Sequence, residues 1–245
     1  MPRFYIPPFA WNPDRLALDS SEAHHAVDVL RMKAGDRATV FNGEGSEAEV
    51  EIVKAGKQGV EIRKLTLHKS APLRCRITLG QAVPKGKNME LIIEKATELG
   101  AAGIAPLLSE RTVVRGTEDD HVRKQHKWQR VAVEACKQCG QNWLPRVQKP
   151  LSPKAFFESG QAFDLMLVAS LQSDALALKS VLAESAAKKP TNVLILVGPE
   201  GDFTPAEMSL IKSAGCRPVT LGPIILRTET AALYCLSVLA HELYA

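Results

Sequence analysis

The spacing of apolar residues changes character near residue 70. Before it, short runs with β-branched residues, at Phe4–Ile6, Ala38–Phe41, Ala48–Val53 and Val60–Leu67, are separated by glycine-bearing turns such as Asn42-Gly43-Glu44-Gly45 and Ala55-Gly56-Lys57. Such runs predict strands, and four of them in so short a span predict a small β-barrel, interrupted by one helix around Ser21–Met32. Lys69-Ser70-Ala71-Pro72 reads as a linker. After it, extended runs at Arg76–Val83, Gly103–Leu108, Phe163–Ala169, Asn192–Val197 and Pro218–Leu221 alternate with helical spacing. Met89, Ile92, Ile93, Ala96 and Leu99 mark a helix capped by Asn88 and stopped by Gly100, and further helices are expected at Asp119–Cys139, Ala175–Ala187, Pro205–Ala214 and Thr228–Tyr244. Strand and helix in alternation predict an α/β domain with a largely parallel sheet covered on both faces. The expected domains are residues 1–70 and 73–245.

Individual helices add detail. Thr204 as cap, Pro205 at the first helical position and Glu207 three residues after the cap form a clear start signal. The helix at Asp119–Cys139 places Trp128, Ala132, Ala135 and Cys139 on one face and Arg123, Lys127, Arg130 and Lys137 on a basic outer face. The last helix is apolar nearly all round, so both its sides need cover, from the interior or from a subunit interface.

Composition narrows the class. The 245 residues are 45% hydrophobic and 24% charged, as expected of a soluble globular protein. The longest apolar stretch, Ala231–Ala240, falls short of the roughly 20 residues a membrane span needs, and no apolar signal region opens the chain, so a cytoplasmic location is expected. An odd five cysteines fit a reducing compartment. The net charge of +4 permits a nucleic-acid partner without requiring one. Its placement is more informative: Arg3, His24, His25, Arg31, Lys33 and Arg37 are interleaved with Phe4, Tyr5, Phe9 and Trp11. That mixture suits RNA, and it equally describes a solvated surface over ordinary core aromatics.

Several familiar sites are missing. No Gly-x-Gly-x-x-Gly follows a strand, Lys85-Gly86-Lys87 lacks the frame of a P-loop, and no serine sits in a Gly-x-Ser-x-Gly elbow. Cys136-Lys137-Gln138-Cys139 has the spacing of half a zinc site, with His121 and His126 nearby, but no second cysteine pair exists, so structural thiols and no metal are expected. Two loops stand out instead. Gly198-Pro199-Glu200-Gly201-Asp202-Phe203 breaks the run Asn192–Val197, and Leu221–Ala231 follows Pro218–Leu221. The two strand ends are expected side by side, at the crevice where open α/β sheets bind small ligands. Gly198, Gly201 and Gly222 allow backbone to approach a ligand, where main-chain groups can read an adenine edge. Glu229 lies in the first turn of a helix, where the dipole alone favours a carboxylate. Arg227 has no such reason to be there, and a base in this crevice suits a phosphate or a developing anion.

With these residues in place the chain resembles the RsmE family of 16S rRNA uridine-N3 methyltransferases, members of the knotted SPOUT superfamily. The likeness is carried by Arg3-Phe4-Tyr5, His25 to Arg31 with Gly35-Asp36, Phe41-Asn42-Gly43, Glu94-Lys95-Ala96-Thr97-Glu98-Leu99-Gly100, Lys127-Trp128, Glu134-Ala135 and Gly198–Phe203. Leu226-Arg227-Thr228-Glu229-Thr230-Ala231 is the most specific piece. The resemblance implies an N-terminal PUA-like RNA-binding barrel and a C-terminal α/β domain tied in a deep trefoil knot that binds S-adenosylmethionine. It also implies a homodimer acting on 16S rRNA or the small ribosomal subunit, with no membrane and no metal.

Residue by residue, the resemblance implies Arg227, Glu200 and Glu229 as catalytic. The cofactor would lie against Leu196, Val197, Gly198, Glu200 and Gly201 on one side and Leu221, Gly222, Ile225, Leu226 and Thr230 on the other. Arg3, His25, Arg31, Lys33, Arg111 and Arg115 would meet RNA. Four positions depart from the family pattern: Asp202 where a second glycine is usual, Ile224 where an arginine often precedes Ile-Leu-Arg, and Lys137 and Gln141 where glutamate and arginine are common. The expected reaction is transfer of a methyl group to uracil N3. Arg227 would stabilise the uracil anion, and Glu200 or Glu229 would orient the base or take its proton. A ribose 2′-O methyltransferase and a non-catalytic rRNA-binding assembly factor are the alternative readings.

Overall fold

Charged and apolar residues alternate along the early strands, and that alternation buries one face of a sheet. In the computed structural model β1 (Arg3–Tyr5), β2 (Arg37–Phe41), β3 (Ser46–Gly56) and β4 (Gly59–Lys64) pair in that order, and β5 (His68–Lys69) pairs with the start of β3. The structure describes residues 1–56, 59–86, 88–112, 116–186 and 189–244. Along β3, Ala48, Val50 and Ile52 are buried while Glu49 and Glu51 are not. The buried side packs with Phe4, Ile6, Ala26 and Val40. The helix expected at residues 21–32 is two pieces: α1 (Ser20–His24), capped by the Asp19 carboxylate on the Glu22 amide at 2.8 Å, and a π-turn over His25–Val29. The expected linker starts one residue late, because Lys69 is still a strand residue in register with Ser46.

The second sheet is parallel throughout, in the order β10 (Leu176–Ala177), β12 (Arg217–Thr220), β9 (Leu165–Ala169), β11 (Asn192–Val197), β6 (Arg76–Ala82), β7 (Gly103–Leu107) and β8 (Arg146–Val147). Almost every residue of β6, β7 and β11 is buried, as a sheet covered on both faces requires. α2 (Asn88–Glu98) packs on α7 (Thr228–Leu243), which lies against β6 and β11. α4 (Pro153–Glu158) and α6 (Pro205–Ser213) pack together, and Phe156, Met208 and Ile211 meet Leu194, Leu196, Leu107 and Val168 in one apolar cluster. α3 (Glu118–Cys139) and α5 (Leu178–Ala186) complete the set. The α6 start is as expected, with the Thr204 side chain accepting from the Glu207 amide and the Glu207 carboxylate accepting from the Thr204 amide.

One expectation about the sheet is corrected. β11 and β12 are not neighbours, because β9 lies between them, with Leu196 opposite Val168 and Val219 opposite Ala169. The pairing of three strands from distant parts of the chain leaves no mark in any single window of sequence. The chain divides into two compact units, Met1–Pro72 with Val133–Leu144, and Leu73–Ala132 with Pro145–Ala245. α3 therefore gives its last turns to the first unit.

Those turns carry two further corrections. Lys137 is not on an outer basic face: its ammonium turns inward, donating to both Glu22 oxygens at 3.1 Å, to Glu134 at 3.0 Å and to His25 Nδ1 at 3.3 Å. An ammonium withdrawn from water needs such partners. Cys136, not Cys139, is the thiol on the buried face beside Ala132 and Ala135. Gln141 turns back on its own chain, accepting from the Trp143 amide.

Candidate active site

The carboxyl ends of β9, β11 and β12 open on one cavity of about 460 Å³, within the size range of small-molecule sites. Ala169, Ser170 and Leu171 form one wall, Val197–Glu200 with Asp202 a second, and Thr220–Gly222 with Ile224–Glu229 a third. Asn88, the first residue of α2, and Ala231 complete the lining.

The second wall is a loop fastened at several points. The Asp202 amide donates to the Pro199 carbonyl at 2.9 Å, and Asp202 itself has φ +61. This left-handed conformation explains why glycine suits the position. Aspartate holds it because its Oδ1 accepts from the Phe203 amide at 2.8 Å, a local bond a longer or branched side chain would lack. Phe203 is buried and anchors the loop to the core. Glu207 binds the Glu110 amide at 2.9 Å as well as its own cap, and Arg111 donates to the carbonyls of Gly201 and Asp202. Glu200 points away from this anchorage, with Oε1 accepting from the Lys85 amide at 3.2 Å.

The third wall turns at Gly222, whose φ is +123 and which has no atom within 4 Å of where a β-carbon would sit. Ile224 and Ile225 follow, each 75% exposed, so the wall offers open apolar surface. Arg227 is the N-cap residue of α7, with an extended backbone and no capping bond from its side chain. Among the described residues no hydrogen bond or ion pair engages its guanidinium. Thr228 is buried and joins two walls, its hydroxyl donating to the Gly198 carbonyl at 2.8 Å while accepting from Gln81 Nε2 at 3.0 Å.

Arg227, Glu200 and Glu229 thus line one cavity at the positive end of a sixteen-residue helix. Val197, Gly198, Leu221, Gly222, Ile225 and Leu226 line it with them. Three of the expected cofactor residues are not in the lining. Leu196 is fully buried beneath the wall, Gly201 turns its carbonyl to Arg111, and Thr230 is exposed on α7. Sequence reasoning missed Ser170 and Leu171, which carry no glycine or charge to mark them, and it missed Thr228 and Gln81. The strict break after an apolar run at Ala169 was the available signal for the first pair.

The residues expected to meet RNA have different surroundings. Arg3 is engaged by Glu47 at 3.1 Å and by Asn142, and its guanidinium lies over the Phe41 ring. His25 faces Lys137, while Arg31, at φ +55, and Lys33 are exposed. Arg111 is on the loop carbonyls already described, and Arg115 lies outside the described residues. Among the described residues no cluster of three or more His, Cys, Asp or Glu is placed to hold a metal. Burial pushes the thiols of Cys136, Cys216 and Cys235 up to about 12, so at neutral pH they are protonated and poor nucleophiles.

Known proteins share the two domains. Residues 71–240 match the model of an RNA methyltransferase domain and residues 18–65 that of an RNA methyltransferase PUA domain. A Legionella pneumophila protein solved with the bound cofactor SAM is 33% identical, with a TM-score of 0.88 over 98% of this chain and 96% of that one. A ribosomal RNA small subunit methyltransferase E from Neisseria gonorrhoeae, bound to S-adenosyl methionine, is 28% identical with a TM-score of 0.86, over 98% of this chain and 97% of that one. The Bacillus subtilis protein of the same name is 33% identical over 231 residues, 92% of this chain and 90% of its own length. With an RNA methyltransferase domain matched over most of its length, a PUA domain matched before it and a relative 33% identical over 92% of it, the chain belongs to the ribosomal RNA small subunit methyltransferase E family.

Proposed function

We propose that the protein methylates N3 of a specific uridine in 16S rRNA of the small ribosomal subunit, using S-adenosylmethionine. The observation that carries this is the cavity itself, which Arg227, Glu200 and Glu229 all line. The cavity suits the cofactor: glycine at 222 leaves room for an approaching ligand, glycine at 198 makes way for Phe203 and Asp202, and Leu171, Ile224 and Ile225 offer exposed apolar surface for a purine and a thioether stem. When bound, S-adenosylmethionine supplies an electrophilic methyl group on a sulfonium.

The chain supplies position and charge. Uracil N3 is a weak acid and a poor nucleophile until its proton leaves. Arg227 donates to a uracil carbonyl oxygen as negative charge develops, and the N-terminus of α7 adds to the same field. Glu200 or Glu229 orients the base or takes the N3 proton, and the Lys85 amide fixes where the Glu200 carboxylate lies. Since N3 is on the pairing edge, the base has to be unpaired or flipped before it enters.

The finer architecture is part of the same proposal. Residues 1–70 form a PUA-like barrel that binds RNA, and residues 73–245 form a SPOUT domain in which a deep trefoil knot shapes the Leu221–Arg227 wall. The working form is a cytoplasmic homodimer; Tyr234, exposed on α7, supports a second chain against that helix. Among the described residues no helix is long and apolar enough to cross a membrane.

The experiment is transfer of labelled methyl from S-adenosylmethionine to small-subunit particles and to naked rRNA, followed by nucleoside analysis. Labelled 3-methyluridine is the expected product. A 2′-O-methylated nucleoside would move the reaction to the ribose, and cofactor binding without transfer would leave an rRNA-binding assembly factor. With cofactor and RNA saturating, Arg227→Ala should lower kcat about 10²- to 10³-fold, and unchanged turnover would remove Arg227 from the chemistry.

A further inference from the structure

Gln81 is fully buried in the centre of the second sheet, opposite Val197 of β11, and no role in the proposed reaction accounts for a polar group there. Its Nε2 donates to the Ala82 carbonyl at 2.9 Å and to Thr228 Oγ1 at 3.0 Å, while Oε1 is buried with no hydrogen-bond partner among the described residues. The amide cannot be turned over, because its oxygen would then face the Ala82 carbonyl, which only accepts. Direction along the rest of the chain of bonds follows. The Thr228 hydroxyl has one proton, its oxygen is occupied as acceptor by Gln81, and the Gly198 carbonyl at 2.8 Å only accepts. The series therefore runs one way, from the Gln81 amide through the Thr228 hydroxyl to the Gly198 carbonyl.

These bonds join three elements that are distant in sequence, β6, the first residue of α7 and the loop after β11. We propose that Gln81 is a positioning residue for methyl transfer, setting through Thr228 the separation of the Gly198–Glu200 wall from the Arg227 wall. The proposal rests on the methyltransferase reading of this cavity. A buried amide with an unsatisfied oxygen is an expensive way to fill space that methionine would fill without an orphan. What methionine lacks is the donor. Without it the Thr228 hydroxyl no longer has a fixed acceptor role, and it can rotate away from Gly198. Both the cofactor-binding backbone and the residue next to Arg227 lose a common reference.

The test uses the full-length protein, with S-adenosylmethionine binding measured by calorimetry and kcat measured separately on the RNA substrate. Gln81→Met and Thr228→Val should each raise the Kd for S-adenosylmethionine by about three- to tenfold, and Thr228→Ser, which keeps the hydroxyl, should stay within about twofold of wild type. The double variant should be no weaker than the weaker single one, because both break one series of bonds. A role in stability alone would lower the thermal midpoint while leaving Kd and kcat of the folded protein unchanged, and it would treat serine and valine at 228 alike. Either result overturns the proposal, as does multiplication of the two single effects. Should Gln81→Met fail to fold, the contrast of Thr228→Val with Thr228→Ser decides alone. Wild-type protein that bound no S-adenosylmethionine would overturn the methyltransferase reading and this proposal together, an outcome distinct from normal binding by every variant.

Discussion

Gly80 is the tightest point beneath the cavity. It lies in β6 opposite Leu196, and a β-carbon there would come within 2.3 Å of Leu196 Cδ2, with Leu107 Cδ1 and Leu194 Cδ1 at 3.6 Å. Carbon atoms prefer about 3.5–4.0 Å, so in Gly80→Ala the Leu196 side chain has to move by more than about 1 Å. It has little room, since Leu196, Leu194 and Leu107 are fully buried in one cluster. Overpacking of this kind costs about 1–3 kcal/mol, and the loss of glycine freedom in the unfolded chain returns only about 0.4–1 kcal/mol. The net destabilisation is about 1–2 kcal/mol, a fall of roughly 2–8 °C in the thermal midpoint for a chain of this length.

The strain also has a functional direction. Leu196 runs straight into Val197 and Gly198, so its displacement should raise KM for S-adenosylmethionine as well. Circular dichroism during heating and urea titration reads the stability, and Leu196→Ala supplies the control. Alone it leaves a hole costing about 2–5 kcal/mol; combined with Gly80→Ala, the new methyl fills part of that hole and the double variant should beat the sum of the singles by about 1 kcal/mol or more. An unchanged midpoint for Gly80→Ala, or strict additivity in the pair, would refute the reasoning.

Asp202 and Glu22 give two more tests. Asp202→Gly should leave the urea midpoint equal or slightly higher, whereas Asp202→Val, forced to φ +61 without the Phe203 bond, should lose about 1–2 kcal/mol; equal midpoints would show that the loop does not hold that conformation. Burial raises the Glu22 carboxyl above its ordinary value, against the opposing pull of Lys137. The folded protein therefore binds this proton more tightly than the unfolded chain. Its contribution to stability is full below the unfolded value of about 4.3 and is lost as pH rises through the raised folded value. Urea midpoints across that range should show the slope in wild type and lack it in Glu22→Gln, and an identical slope in both would remove Glu22 as its source.

How much was legible depended on range. The strand Asn192–Val197 and the start of α6 are written locally, the first in an unbroken apolar run and the second in Thr204, Pro205 and Glu207, and both stand where expected. β8 and β10 have two residues each and α4 has six, too few for a period to register. Sheet order was out of reach, since the insertion of β9 between β11 and β12 is a choice among distant partners. The same limit applied to the cavity. Loops broken by glycine announced two of its walls, but Ser170 and Leu171 entered it only because β9 was there. Helical spacing put Cys139 on the apolar face, although Cys136, four residues from Ala132, fits there as well, and it made Lys137 look exposed because its partner Glu22 is 115 residues away.

The division of the chain also sets an order of events during synthesis. The first unit closes only with Val133–Leu144, the segment that brings Lys137 to Glu22 and Asn142 to Arg3. Roughly 60 residues of the second unit have to be made between Pro72 and that segment, which at about 5–20 residues per second takes about 3 to 12 s. Throughout that interval the N-terminal sheet has been made but Glu22 and Arg3 lack these partners. A nascent chain halted after Pro72 would therefore carry an unfinished first unit, and the strand-and-helix segment that follows is as much a delay in its completion as a separate body.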